Sequence, residues 1–533
     1  MSGWNFADVW QAIAEVIPHE QAIVQGDRRI VWAEFDARAS GFATTMRDLG
    51  LPRQAKVAQY LYNSPEYLET TYGSWKAALV PVNTNYRYTA GELAYLWDNA
   101  DVAAVVFHGT FTDAVDRIRC EVPLVRHWIH VDDATEPCPD WAIPYESAAS
   151  STPSSFSKRS GDDLYLLYTG GTTGMPKGVM WRQDDLFCIL NATAKVRFPE
   201  DGGLQSVREM VRHAGPVTLA ACPLMHGTGA FSAFASLSSG GSVVVLEERK
   251  FDAVELLDAI ERERVQALAI VGDAFAKPIV RLLDDHPSRW DISSLRLVTS
   301  SGVMWSAATK TRLLTHNSRL LLVDSLGSSE ALGMATSVTS KDSLARTGSF
   351  RLTPETQVIT EDGRFVQPGS GEVGMLARAG RAPLGYYKDG DKTASTFRIV
   401  NGQRFSIPGD HATVDAEGAV VLLGRGSLCI NTGGEKVFPE EVEEVLKECP
   451  GVGDALVVGV PDDRFGQRIV AVVVALDPEH RVLEPALTEH VRTRLARYKA
   501  PRSVLFVPSL ERADNGKVDY KRWQQFAVEL SPG

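Results

Sequence analysis

The run Tyr168-Thr169-Gly170-Gly171-Thr172-Thr173-Gly174-Met175-Pro176-Lys177-Gly178 gathers the residue types that hold a phosphate chain. Glycines let backbone N–H groups turn toward an anion, threonine hydroxyls add donors, and Lys177 adds a positive charge. The apolar residues 164–167 directly ahead read as a strand leading into this loop. Lys177 stands between Pro176 and Gly178, which separates the run from the G-x-x-x-x-G-K-[ST] loop of P-loop NTPases.

Other groups along the chain carry complementary chemistry. Ser300-Ser301-Gly302-Val303 and Asp324-Ser325-Leu326-Gly327-Ser328-Ser329-Glu330 each follow an apolar run read as a strand. Loops at the carboxyl ends of strands are where α/β sheets bind ligands. Gly409-Asp410 precedes a turn at Asp415-Ala416-Glu417-Gly418, and an aspartate so placed can accept both ribose hydroxyls. Arg425 offers a planar cation suited to ribose or phosphate oxygens. Taken singly, either residue is equally well a turn carboxylate or a surface salt bridge. His226, in Pro223-Leu224-Met225-His226-Gly227, and Lys517, closing Arg512-Ala513-Asp514-Asn515-Gly516-Lys517, complete the set.

The elements that must position these residues fall into three textures. From about residue 55 to 330, short apolar runs at 102–107, 242–246, 265–271, 295–298 and 320–323 alternate with helical patterns, the signature of strand–helix–strand units and mainly parallel sheets. Asp252 caps one such helix, with Val254, Leu257 and Ile260 along one face. Residues 147–160 are serine-rich and read as a surface loop. Past residue 360 the runs shorten between glycines and prolines, predicting a small, turn-rich, β-barrel-like unit. Beyond Gly424 an α+β tail is expected: a helix opened by Pro439, strands at 455–460 and 469–476, and a helix through Leu487, Val491, Leu495 and Tyr498. The organisation predicted is a large α/β domain over 1–424, a hinge at 425–428 and a small mobile α+β domain over 429–533.

Composition narrows the function classes. The 533 residues exceed what one core usually supports at about 150 residues per domain. With 44% hydrophobic and 23% charged residues the chain is globular rather than fibrous or disordered. A net charge of -12 argues against nucleic acid as partner, so an anionic ligand must be held by local geometry. Six cysteines without C-x-x-C spacing indicate neither a disulfide framework nor structural zinc. No basic segment precedes an apolar one near the start, and the longest apolar run, 469–476, is far short of a membrane span, so a cytoplasmic location is expected. Trp4, Val9, Trp10, Ile13, Val16 and Ile17 fall at helical spacing, which fits a helix docked on its own domain better than a membrane-touching face. Peripheral membrane contact and homo-oligomerisation stay open.

Taken together, these segments resemble the adenylate-forming superfamily of acyl-CoA synthetases, peptide-synthetase adenylation domains and luciferases, over nearly the whole chain. Residues 165–182 and 424–443 most resemble ligases of long-chain and steroid side-chain acids from actinobacteria. The resemblance implies an ATP-dependent, AMP-forming acid–CoA ligase for a bulky apolar acid, using ATP, Mg²⁺ and CoA. It implies nucleotide contacts from Thr169, Gly170, Gly171, Thr172, Thr173, Gly174 and Lys177. Ser301, Gly302 and Val303 would contact adenine; Asp324, Ser325, Leu326, Gly327, Ser328 and Ser329 would cover its ring; Asp410, Arg425 and Lys517 would complete the nucleotide site. Glu330 would hold Mg²⁺ with Thr172, His226 would border the acyl pocket, and Gly433, Gly434, Glu435 and Lys436 would line the thiol tunnel. Lys517 matches the catalytic lysine. Alternatives are an acyl-AMP ligase that loads a carrier protein, and a catalytically silent nucleotide binder.

The sequence departs from the family pattern at several points. Gly170 stands for the usual serine, Leu326 for the usual aromatic over adenine, Ser329 for threonine, and Pro408 for the common threonine. Leu428 replaces the polar hinge residue, which puts the pivot in doubt. Met304 and Trp305 are larger than the small residues often found there, as pocket walls or as plain packing.

Overall fold

A computed structural model describes residues 3–152, 158–169, 175–303, 305–343, 348–425, 428–432, 435–462, 466–477, 483–513 and 516–530. Two compact units emerge. The first comprises Met1–Thr347 with Ala379–Ile399 and Arg404–Ser406; the second comprises Gly348–Arg378, Val400–Gln403 and Ile407–Gly533.

Two sheets build the first unit. In one, strands Gln21–Gln25, Ser242–Val245, Val217–Ala220, Ala267–Ile270, Leu297–Ser301 and Leu321–Ser328 lie parallel in that order, and Ala331–Thr339 adds antiparallel to the last. In the other, Val80–Asn83, Lys56–Tyr60, Val102–His108 and His127–Val131 run parallel beside Leu164–Thr169, which turns back antiparallel into Lys177–Arg182. The mainly parallel α/β reading therefore holds. Asp252 caps the Ala253–Arg262 helix by accepting from the Val254 and Glu255 N–H groups, as expected of an N-cap carboxylate. The serine-rich stretch differs at its start, where the Tyr145–Ala149 helix reaches into it.

A single aromatic-rich core joins residues of both sheets to several helices, with Ile23 and Val243 from one sheet and Val57, Ala104 and Leu167 from the other. Helix Phe6–Val16 contributes Phe6, Ala7, Val9, Trp10, Ala12, Ile13 and Ala14 to it. Val9, Trp10 and Ile13 are fully buried, and Trp10 packs edge-on against Trp75 at 5.3 Å. Its apolar face packs on the core, as expected of a helix docked on its own domain. Among the described residues no helix is long and apolar enough to cross a membrane.

His108 ends its strand in this interior and accepts the Tyr62 N–H on Nδ1 at 3.1 Å. A neutral ring suits that bond, and burial pushes the imidazole down to about 4. The unfolded chain binds a proton near pH 6.5 that the folded chain refuses until about pH 4, so stability is lost as pH falls through that window, by about 3 kcal/mol for the full shift. Against the parent, His108→Gln is expected to lose less stability between pH 6.5 and 4 in urea titrations. Parallel pH profiles for the two proteins would contradict this.

In the second unit the turn-rich stretch is an antiparallel sheet ordered Ser349–Leu352, Ala419–Arg425, Asp410–Val414, Gly374–Arg378, Thr356–Ile359. No strand pair closes it into a barrel among the described residues. The α+β portion follows, with helix Pro439–Lys447, the long hairpin Val452–Asp462 and Gly466–Ala475, and a short parallel strand, Ser503–Phe506. The helix expected through Tyr498 stops at Arg492; Leu495 still packs on the core, but the chain has become extended at Ala496. Strand Ser503–Phe506 and helix Tyr520–Leu530 had no counterpart in the sequence reading.

Candidate active site

The phosphate-loop residues Gly170, Gly171, Thr172, Thr173 and Gly174 lie outside the described residues, but both stems of the loop are fixed. Thr169 ends one strand directly opposite Lys177, which opens the next. Gly178 is needed for this hairpin, because a Cβ there would come 2.5 Å from the Tyr168 ring. A second backbone segment is laid along the hairpin, with Gly385 opposite Met180 and Tyr386 opposite Val179. It delivers two side chains that the sequence did not single out. Asp389, which caps helix Gly390–Thr396, forms a close ion pair with Lys177, and the ammonium holds its carboxyl below the usual range. The Tyr386 hydroxyl donates to Glu330 Oε1 at 2.7 Å.

Glu330 itself sits in the turn between strands Leu321–Ser328 and Ala331–Thr339, half-buried. Its turn is held from several directions. Trp181 Nε1 donates to the Ser329 carbonyl at 3.0 Å, and Ser406 Oγ donates to the Glu330 carbonyl at 2.7 Å. The Glu330 N–H reaches Ser328 Oγ at 3.3 Å. A single carboxylate fixed in this way has donor chemistry compatible with Mg²⁺, which is commonly bound through one or two carboxylates while keeping waters and taking phosphate oxygens.

Residues 324–328 differ from expectation: they are not a loop after a strand but part of the strand, paired across the hairpin as Asp324 with Ser337, Ser325 with Thr336 and Leu326 with Ala335, the register shifting around Gly327. Asp324 forms a close ion pair with Lys310, whose side chain is 1% exposed and whose Nζ lies 5.5 Å from the Trp305 ring centroid. Trp305 is buried in an apolar cluster separate from the aromatic-rich one, with Val271, Phe275 and Leu313; Met304 lies outside the described residues. Ser301 closes its strand, and Gly302 follows at φ +92. Ser300 Oγ accepts the Gly272 N–H at 2.8 Å and so ties this edge to the neighbouring strand–helix junction.

His226 stands at the N-cap position of helix Gly227–Ser238. The loop leading to it is held by two buried or half-buried asparagines at the carboxyl ends of the second sheet. Asn83 Nδ2 donates to the Tyr168 carbonyl at 2.8 Å and the Met225 carbonyl at 2.7 Å, while its Oδ1 accepts the Tyr168 N–H at 2.6 Å. Asn63 donates to the Cys222 carbonyl at 3.1 Å and accepts the Leu224 N–H at 2.7 Å. Asn83 thereby registers the phosphate-loop stem against the His226 loop.

In the second unit, Asp410 is buried at the start of its strand, after Gly409 at φ +105, and pairs in register with Arg425 across the hairpin. The intervening turn is built as read, with Asp415 Oδ1 accepting the Glu417 and Ala419 N–H groups. Gly433 and Gly434 lie outside the described residues; Glu435 opens a short strand opposite Thr432, and Lys436 follows opposite Asn431. Lys517 is exposed, directly after Gly516.

Comparison with known proteins matches this architecture. The family model of AMP-binding enzyme covers residues 10–387, and that of the AMP-binding enzyme C-terminal domain covers residues 441–517. The chain belongs to the AMP-binding enzyme family. It is 39% identical to the 3-oxocholest-4-en-26-oate–CoA ligase of Rhodococcus rhodochrous, over 99% of this chain and 96% of that protein. It is also 39% identical to the medium/long-chain-fatty-acid–CoA/3-oxocholest-4-en-26-oate–CoA ligase of Mycolicibacterium smegmatis, over 99% and 97%. Among solved structures, ATP-bound MatB from Rhodopseudomonas palustris superposes with a TM-score of 0.82 at 26% identity, covering 99% of this chain and all of that one.

Proposed function

We propose that the protein is an AMP-forming acid–CoA ligase acting on a bulky apolar carboxylic acid, a steroid side-chain acid or a medium- to long-chain fatty acid. The observation that carries this reading is the end-to-end similarity to ligases of those acids. Activation drives a carboxylate onto the α-phosphate of ATP, two anions that repel, so cations and a fixed geometry must offset the charge. In this reading Lys517 spans the carboxylate and the α-phosphate, Lys177 and the Thr172/Thr173 loop hold the phosphates, and Asp410 with Arg425 fixes the ribose. Glu330 and Thr172 would hold Mg²⁺, which supplies neutralising charge at the phosphates. Pyrophosphate leaves, and the CoA thiol then displaces AMP from the acyl-adenylate. Gly433, Gly434, Glu435 and Lys436 border its approach, and His226 borders the acyl chain.

Lys177 and Lys517 are 340 residues apart in sequence (517 − 177), which supports separate domains supplying them. A charged lysine in the site would obstruct the thiol, so the domain over 429–533 swings about 425–428 between half-reactions. Mass spectrometry of products after incubation with Mg²⁺, ATP, CoA and short, medium, long-chain, aromatic and steroid side-chain acids tests the assignment. Acyl-CoA with matching AMP from the steroid or longer fatty acids is expected. Acyl-AMP without thioester would move the function to carrier-protein loading, and no ATP turnover with any acid would overturn it.

A further inference from the structure

Lys517 lies between strand Ser503–Phe506 and helix Tyr520–Leu530, where the described residues form neither helix nor strand. Where the Lys517 ammonium can reach depends on how firmly the backbone beneath it is held. Arg512 provides an anchor. Its Nε and Nη2 grip Asp454 on the Val452–Asp462 strand at 2.6 and 2.9 Å, and its Nη1 donates to the carbonyl of Gly516, the residue before Lys517, at 3.0 Å. The segment is closed by the Ala513 N–H on the Lys517 carbonyl at 2.8 Å and the Gly516 N–H on the Ala513 carbonyl at 2.7 Å. Downstream, the Tyr520 hydroxyl donates to the buried Glu443 at 2.9 Å, and Trp523 Nε1 donates to the Leu510 carbonyl at 3.1 Å.

We infer that Arg512 is a positioning residue for the adenylation half-reaction: by bridging Asp454 and the Gly516 carbonyl it fixes the base from which Lys517 reaches the reacting groups. This rests on the role given to Lys517 above. The guanidinium is suited to the task because one rigid, planar group serves a bidentate carboxylate and a third acceptor together, which a single ammonium on a flexible stem does not reproduce. Burial works against the charge on Arg512, but its bonds to Asp454 outweigh that, and Asp454 is held below the usual carboxylate range, so the strut stays ionised at neutral pH. Small misplacements of a reacting group cost rates out of proportion to their energy, up to about 10²-fold for 1 Å.

The test measures both half-reactions on the same preparations: pyrophosphate release with ATP and acid, and thioester formation from supplied acyl-AMP and CoA. Arg512→Ala is expected to slow adenylation by about 10- to 100-fold through kcat, with ATP affinity little changed. Thioester formation, which needs the same domain folded but not Lys517, should change by less than about 3-fold. Arg512→Lys should recover part of the adenylation rate, and Asp454→Asn should reproduce part of the defect. Unchanged adenylation in Arg512→Ala, or equal loss of both half-reactions in all three variants, would overturn the proposal. Lys517→Ala measured alongside separates the two levels: if it keeps full adenylation, the role of Lys517 fails; if it alone loses adenylation, only the role of Arg512 fails.

Discussion

Lys517→Ala is expected to slow adenylate formation by at least about 10²-fold while leaving thioester formation from supplied acyl-AMP largely intact. The magnitude is that of removing one preorganised charge stabiliser from a site where charge develops. Two anions must meet before the new bond forms, and in the proposed arrangement this ammonium is the group that contacts both. Once acyl-AMP exists, the carboxylate is an anhydride carbonyl and no longer repels phosphate, so the second step has no such need. The assay is pyrophosphate release compared with acyl-CoA formation from synthetic acyl-AMP. Equal loss in both would contradict the assignment, because it would describe a folding defect or a general binding role.

The legible parts of this molecule were those with local signatures. A capping aspartate followed by apolar residues at helical spacing gave the Ala253–Arg262 helix, and runs of β-branched residues gave the parallel strands. Residues 324–328 were misread because Asp, Ser and Gly look like a loop, yet pairing with Ala331–Thr339 keeps them extended; tertiary pairing overrode composition. Leu495 misled in the opposite way: its spacing reports packing on the core, not helix, and the helix had already ended at Arg492. In the site, glycine-rich and charged motifs were visible, but the residues that hold them were not. Tyr386 meets Glu330 across 56 positions, Asn83 meets Met225 across 142 and Trp181 meets Ser329 across 148, and no periodicity in a single sequence carries such separations. An asparagine ending an apolar strand run, as Asn83 does, was the faint available signal.

Glu330→Gln is expected to raise the free Mg²⁺ needed for half-maximal adenylate formation by about tenfold or more, since a cation bound through one or two carboxylates loses much of its protein-derived charge when one is neutralised. The substitution is close in shape, and the amide oxygen can still accept from the Tyr386 hydroxyl, so the turn held by Trp181 and Ser406 should persist. Tyr386→Phe provides the graded case. It keeps the carboxylate and removes the bond that fixes its rotation, so the Mg²⁺ titration should shift in the same direction by a smaller factor. Order matters as much as size: Glu330→Gln above Tyr386→Phe above the parent is what a metal carboxylate oriented by a tyrosine requires. An unchanged titration in Glu330→Gln would remove that residue from the metal site, and a shift in Tyr386→Phe alone would assign the effect to the Gly385–Tyr386 strand beside the phosphate hairpin instead of to the carboxylate.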